Sequence, residues 1–562
     1  MRNRILAIGL TLCLTTSLAS CASNNDGSFD NVVRPISQDN NKGSQYTSVA
    51  TTYPSKHAWG DQLNGTYNNP IIPADYSDPD VIRVGSNYYM VASDFHFMGM
   101  QILTSNDMVN WKILTQLYSR LDYEGWDDMK HYGGGSWAPS IRYHDGKFWV
   151  YFCTPDEGLF MTTATNAAGP WEPLTLVKAV SGWEDPCPFW DEDGTAYLGH
   201  SKLGAGPIIL HKMSADGKTL LDDGQTIYTG DVAEGTKFYK KDGYYYLCIP
   251  EGGVGTGWQT CCRATNIYGP YQSRRVLEQG TTNVNGPHQG ALVDTPEGEW
   301  WFYHFQDKSP LGRILHLEPV VWVDGWPVIG DDADGDSIGQ PVSTYSKPNC
   351  PEPTVADSIQ ISDDFNSSSL APCWQWNHNP ADDAWSLSEN EGSLTTHALI
   401  SSSFKEARNT LTQKLMGYRS RVEVVLGLTE MKPYQRAGLA CMGATNHQIG
   451  IGVTPSGQIK IYEEADGKIL KAIDWEGSEI RLVLYCDANS NEFHFAYFDE
   501  NEKEQSVTSE SFSMSNGNWK GARYALYNYN LKNAEGEAIF KSFSWIDLDG
   551  QPVDTGIRAI TK

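Results

Sequence analysis

Long apolar segments are nearly absent from this chain of 562 residues. Its one leading apolar run, Ile5 to Leu14, is too short to cross a bilayer as a permanent helix, and no other segment resembles a membrane span. Positive charge is scarce too: 42 Lys and Arg face 69 Asp and Glu, for a net charge of -27. Holding a polyanion requires Lys and Arg to neutralise its phosphates, so nucleic acid is excluded and a neutral or cationic partner fits. The cysteines lack the paired C-x-x-C spacing of a structural zinc site. Beyond Cys13 and Cys21 they stand at 153, 187, 248, 261, 262, 350, 373, 441 and 486, an odd set that reads as small buried hydrophobes.

What the chain has in quantity is rings and turn formers: 19 Trp, 29 Tyr, 53 Gly and 28 Pro. Aromatic side chains suit pleated surfaces, and Gly and Pro punctuate them, so mostly β structure is predicted. With 40% hydrophobic residues the chain buries a large core and should divide into at least two domains. Arg2 and Arg4 before the apolar run, then Leu18-Ala19-Ser20-Cys21, resemble an export signal with a bacterial lipobox. Residues 1–20 are therefore expected to be removed, Cys21 to carry lipid, and 21–67 to form a tether.

Five segments share one pattern: a polar residue near Pro or Gly, a short apolar stretch, a Gly-containing turn and an aromatic strand. They are SDPDVIRVGSNYYMVAS from Ser77, WAPSIRYHDGKFWVYF from Trp137, EDPCPFWDEDGTAYLGH from Glu184, AEGTKFYKKDGYYYLCIP from Ala233 and NGPHQGALVDTPEGEWWFYHF from Asn285. Each is a hairpin signature, and the spacing between copies suits a four-stranded unit with loops. Five such units predict a five-bladed β-propeller over 68–345, whose ring form leaves few exposed edges. If each first strand lines the central channel, Asp78, Trp137, Asp185, Glu234 and His288 occupy one slot of successive repeats and converge at one mouth. A lone DP or DG aspartate caps a turn. Three acids and a histidine in register are not explained by turns.

Two carboxyl groups facing across a cleft are the equipment of glycoside hydrolysis: one protonates the leaving oxygen, the other activates water or attacks carbon. A third anion nearby raises the acid's pKa by repulsion. His288 is the single nitrogen in register, which argues against a catalytic zinc.

In these motifs the chain resembles glycoside hydrolase family 43 from about Asn69 to Asp331, through all five repeats. The resemblance implies an inverting five-bladed propeller with Asp78 as general base, Asp185 tuning and orienting the acid, and Glu234 as general acid. It also implies that Trp137, in a WAP segment, flanks the terminal sugar subsite and that Arg313, in GRILHLEPVVWVDGWPVI, contacts a sugar hydroxyl. His288, in GPHQG, matches the axial histidine beneath that subsite, where relatives hold water or calcium; no cofactor is otherwise implied. In VASDFHFMGMQI, Phe95 is expected to form an aromatic wall, with Asp94 and His96 near the rim. Asp80, two residues beyond the base, should face away from it, because strand side chains alternate.

SKPNCPEPTVADS reads as a linker over 346–358. The short alternating segments beyond it, among them SRVEVVLGL, QIKIYEE and EIRLVLYCD, predict a β-sandwich over 359–562, similar to the concanavalin-like domain of exo-acting family members. There it leans on the propeller and closes the pocket, so an exo-acting enzyme is expected; a glycan-binding module is the rival role. The first expectation for activity is release of terminal α-L-arabinofuranosyl units from plant-wall glycans, with exo-β-xylosidase action, alone or alongside, close behind. A non-catalytic surface glycan-binding lipoprotein ranks third, since all three acids are present. The expected location is the bacterial envelope, with the membrane touched only through the lipid.

Overall fold

The computed structural model describes residues 57–351, 359 and 361–549. The expected leader, Cys21 and the tether up to residue 56 lie outside the described residues.

Asp-Gly pairs set the hairpins. Asp145–Gly146, Asp242–Gly243, Asp324–Gly325 and Asp466–Gly467 all take positive φ at both residues, the conformation of two-residue turns whose twist matches that of the flanking strands. Between such turns the aromatic segments form five consecutive four-stranded antiparallel sheets. Their first strands are Asp80–Val84, Trp137–His144, Trp183–Trp190, Lys237–Lys241 and His288–Asp294. The first strand of sheet one packs on those of sheets two and five, sheet three packs on two and four, and sheet four packs on five. The sheets thus close into a ring of five blades.

Each blade is one continuous stretch of sequence, so the ring is sealed by side chains instead of an exchanged strand. Arg83 of blade one pairs with Asp294 of blade five at 2.6 Å. Asn69 donates to Leu317 O and Val342 O and accepts from Leu317 N. A small sheet of Gly60–Asp61, Thr66–Asn68 and Thr344–Ser346 ties the start of the domain to its end. Residues 60–61 and 66–67, expected in the tether, are therefore strand, because the sheet supplies partners that no local pattern announces. Asp80, fully buried, points away from the axial mouth as expected: it accepts from Ile141 N at 2.9 Å and from Arg142 at 2.6 Å, latching blade one to blade two.

The second region stacks an eight-stranded on a seven-stranded sheet. In strand Arg419–Gly427 buried and half-buried residues alternate, so one face enters the core. Strand Arg523–Asn530 is buried throughout, because its second face lies on the propeller: Arg523 stacks 3.8 Å over Phe97 of the blade-one loop. One apolar core runs unbroken from Ile71, Tyr76 and Met98 of the propeller side into Trp374, Leu411 and Phe543 of the sandwich. The nine described cysteines are all free thiols, eight of them buried.

Candidate active site

At the axial mouth the backbone repeats a device once per blade. Asp78, Ala138, Asp185, Gly235 and Gln289 all take left-handed φ, between 38° and 58°. In blades two, three and five the pairing register shifts at this point, between Trp137 and Ser140, Glu184 and Cys187, and His288 and Gly290. Such a bulge interrupts strict alternation, so two successive side chains can serve the same side. Left-handed φ costs an ordinary residue stability but is tolerated by Asp, and persists where surrounding structure enforces it. At Gly235 a Cβ would lie 2.5 Å from the Pro250 ring, which fixes glycine there.

This register corrects one expectation. Asp78 and Asp185 occupy the left-handed position, whereas Trp137, Glu234 and His288 stand one residue earlier, in line with Ser77 and Glu184. The five residues therefore belong to two adjacent slots, not one. They still converge: the charges of Asp78 and Asp185 both act on Glu234, and oxygens of Glu184, Asp185 and Glu234 all lie within 4.8 Å of one another.

The acids differ in their surroundings. Asp78 is buried and faces Arg313, whose guanidinium donates to Oδ1 at 2.8 Å and to Ser77 Oγ at 2.8 Å. Ser77 and Ser93 hydroxyls donate to Oδ2 at 2.9 and 2.6 Å. A carboxylate offers about four acceptor directions, so these three donors leave one on Oδ1 for a water. Asp185 accepts from Ser201 Oγ at 2.7 Å, from Gln289 Nε2 at 3.0 Å and from the backbone of Gly235, the residue after the acid. Burial raises its pKa, with the Gly235 and Ser201 bonds opposing and Asp78 reinforcing the rise. Glu234 is partly buried; burial first, then the charges of Asp185 and Asp78, push its pKa well above the usual carboxylate range. Among the described residues no cation forms an ion pair with Glu234. One carboxyl is thus set against a guanidinium and a neighbour is set to keep its proton, the division of labour that acid–base hydrolysis needs.

Three aromatic rings form a chain from Phe95 through Trp137 to the sandwich. Phe95 stands edge-on to Trp137 with centroids 6.1 Å apart, and Trp137 stands edge-on to Trp519 of the sandwich at 6.0 Å. Trp137 Nε1 donates to Gly133 O, which fixes the indole. Trp519 is 59% exposed beside this site.

Comparison with known proteins agrees with this geometry. Residues 67–327 match Glycosyl hydrolases family 43, and residues 362–546 match the Beta xylosidase C-terminal Concanavalin A-like domain. A Xylanibacter ruminicola protein named provisionally as a beta-xylosidase is 56% identical over 467 residues, 83% of this chain and 86% of its own. The chain belongs to glycoside hydrolase family 43. A Formosa agariphila protein named Beta-xylosidase is 35% identical over 88% of this chain and 92% of its own. BoGH43B of Bacteroides ovatus, named a non-reducing end alpha-L-arabinofuranosidase, is 33% identical over 58% of this chain and 64% of its own. The solved bifunctional GH43-CE structure from Bacteroides eggerthii superposes with a TM-score of 0.76 at 31% identity, over 85% of this chain and 63% of that one.

Within this family 43 chain, the remaining expected residues sort by contact. Arg313 reaches Asp78 directly. His288 is fully buried, and neither ring nitrogen makes a hydrogen bond of good geometry; burial, then the charge of Arg313, depresses its pKa. Calcium takes six to eight oxygen ligands, and His288 belongs to none of the three-residue ligating clusters found among the described residues. Asp94 and His96 are not at the rim. Asp94 meets Lys414 of the sandwich at 3.1 Å, and His96 stacks on the sandwich's His378 at 5.1 Å, so both serve the domain interface. Sequence reasoning also passed over Glu184, Gln289 and Trp519. The first two were visible as polar neighbours of assigned residues in EDP and GPHQG; Trp519, arriving from the far domain, left no local signal.

Proposed function

We propose that this glycosidase removes terminal β-xylosyl units from the non-reducing ends of xylan-type chains, with inversion at the anomeric carbon. The order of sugars expected from sequence is reversed, because the relatives matched over most of their length are named for xylosidase activity. Release of α-L-arabinofuranosyl units is the second reading, favoured by the likeness to BoGH43B.

The observation that carries the mechanism is the contrast between Asp78, hydrogen-bonded to Arg313, and Glu234, whose proton is held by burial and two neighbouring anions. Glu234 gives its proton to the departing oxygen as the glycosidic bond breaks. Asp78 takes a proton from a water that attacks the opposite face. Inversion of this kind calls for carboxyl groups about 6.5–9.5 Å apart, leaving room for that water. Asp185, bonded to the backbone of Gly235, fixes the segment that carries the acid. The ring wall of Phe95, Trp137 and Trp519 suits a sugar face and closes one side, which supports attack at chain ends. Export, acylation of Cys21 and residence at the bacterial envelope complete the proposal from sequence.

The test is to incubate the protein with xylobiose and with arabino-oligosaccharides and follow the first-formed product by proton NMR. α-Xylose appearing first is the expected result. Predominant arabinose would reverse the choice of sugar, and β-xylose appearing first would refute the inverting mechanism.

A further inference from the structure

Glu184 has the same place in blade three that Glu234 has in blade four. Each directly precedes a left-handed residue, Asp185 in one case and Gly235 in the other. Each also sits opposite the end of its blade's second strand, Glu184 against Ser201 and Glu234 hydrogen-bonded through its N–H to Pro250 O. In a regular strand Glu184 and Asp185 would point to opposite faces. The bulge between Glu184 and Cys187 cancels that alternation and brings the Glu184 carboxyl into the acid cluster, within 4.8 Å of Glu234 and Asp185 oxygens. Glu184 is 6% exposed, accepts a long hydrogen bond of 3.3 Å from Ala205 N, and among the described residues pairs with no cation. A buried carboxyl without a cation, this close to others, is costly as an anion and stable when it holds or shares a proton.

We propose that Glu184 is a positioning residue for the general acid: its carboxyl lies too near that of Glu234 for both to ionise cheaply, which keeps the acid loaded to higher pH than Glu234 would manage alone. The groups facing the pair are Asp185 and Asp78, whose charges reinforce the effect, Arg313, which opposes it at Glu234, and the buried thiol of Cys153. Lys237 reaches the cluster through Asp185. Burial, then the charges of Asp185 and Glu234, raises the Glu184 pKa in the same direction as that of its partner. In turnover the Glu234 proton passes to the leaving oxygen as the C–O bond breaks. Asp78 gains one from the attacking water, and exchange with solvent restores both. Glu184 itself undergoes no bond change; it acts through Glu234.

The inference rests on Glu234 being the general acid, and the experiment separates the two. kcat/KM is measured against pH for the full chain, Glu184→Gln, Glu184→Asp and Glu234→Gln, on xylobiose and on a nitrophenyl β-xyloside whose leaving group needs little protonation. With Gln at 184 the Glu234 proton is no longer one of two that leave a close pair in turn, so in Glu184→Gln the alkaline limb moves acidward by about one pH unit. That costs about tenfold in rate on the alkaline side with xylobiose and clearly less with the activated substrate. Glu184→Asp, whose shorter side chain keeps a carboxyl but weakens the pair, moves the limb by part of that amount. An unmoved limb in a folded Glu184→Gln protein, alongside a Glu234→Gln protein crippled only on xylobiose, overturns the role of Glu184 alone. Equal losses by Glu234→Gln on both substrates overturn the acid assignment and this inference with it. Should Glu184→Gln fail to fold, Glu184→Asp decides: its shortened reach weakens the pair and moves the limb part-way, and an unmoved limb there refutes the proposal.

Discussion

Arg313 and Asp78, 235 residues apart in sequence, meet at 2.8 Å at the mouth of the ring. Blade five supplies the guanidinium and the turn into blade one supplies the carboxylate, so the contact exists only when the ring is closed. The pair is 11% and 7% exposed in its side chains, which makes the interaction strong and its loss expensive. Arg313→Ala should leave Asp78 with its two serine donors but no cation, and kcat/KM should fall about 100-fold or more. Arg313→Lys should recover only part, because a point charge does not reproduce a guanidinium that bonds Asp78 and Ser77 at once. Steady-state kinetics on xylobiose checks both variants.

As the proposed general acid, Glu234 should matter only where the leaving group needs a proton. Glu234→Gln should reduce kcat on xylobiose by about 10²–10⁴-fold, the usual worth of general acid catalysis, while a nitrophenyl xyloside loses far less. Comparison of kcat on the two substrates is the measurement. Similar losses on both would point instead to damaged binding.

The pH profile carries a signed prediction for Asp185. In the proposed mechanism the alkaline limb of kcat/KM follows loss of the Glu234 proton. Burial is the largest cause of the raised Glu234 pKa, and the Asp185 charge comes second. Asp185→Asn removes repulsion but not burial, so the limb should move toward acid by only part of the total elevation. Asn keeps a single acceptor oxygen, so it can accept from Ser201 or from Gln289 but not from both, and some loss of melting temperature should accompany the change. A limb that stays in place would mean that Asp185 acts through orientation alone.

The propeller was legible because its signals are local. Asp-Gly turns, aromatic strands and repeat spacing lie within a few residues of each other, and DP and EG acids stand at the head of three of the five units. The register of those acids was not legible. Proline follows Asp78, Ala138 and Asp185 but not Gly235 or Gln289, and the sign of φ leaves no residue-type signature common to all five blades. Aligning the repeats by chemistry, acid on acid, therefore merged two adjacent slots and hid Glu184 behind Asp185. Contacts across the domain interface, such as Lys414 with Asp94 and Trp519 with Trp137, were hidden for a different reason: pairing over hundreds of residues depends on the packed arrangement and not on local pattern. The sugar preference depends on hydroxyl recognition in a shared pocket, which the three acids do not encode.

The interface bears on whether the sandwich is a separable module. A tethered binding module would bury its own core and touch the propeller lightly. Here the apolar core is continuous across the boundary, and the buried Lys414 ammonium bridges to the blade-one segments through Asp94 at 3.1 Å and Asp75 O at 2.7 Å. Gly521 N donates to the second oxygen side of Asp75, and Ala522 N donates to Pro310 O. Cutting the chain after residue 351 would expose Ile71, Tyr76 and Met98 and strip Asp94 of its cation. The isolated propeller should therefore aggregate or melt well below the full chain. The milder Trp519→Ala, which leaves the core intact, should raise KM for xylobiose while changing kcat little, because its ring stands at the rim and not at the acids. A truncated propeller that melts with the intact protein and keeps its KM would show that the sandwich contributes neither core nor wall.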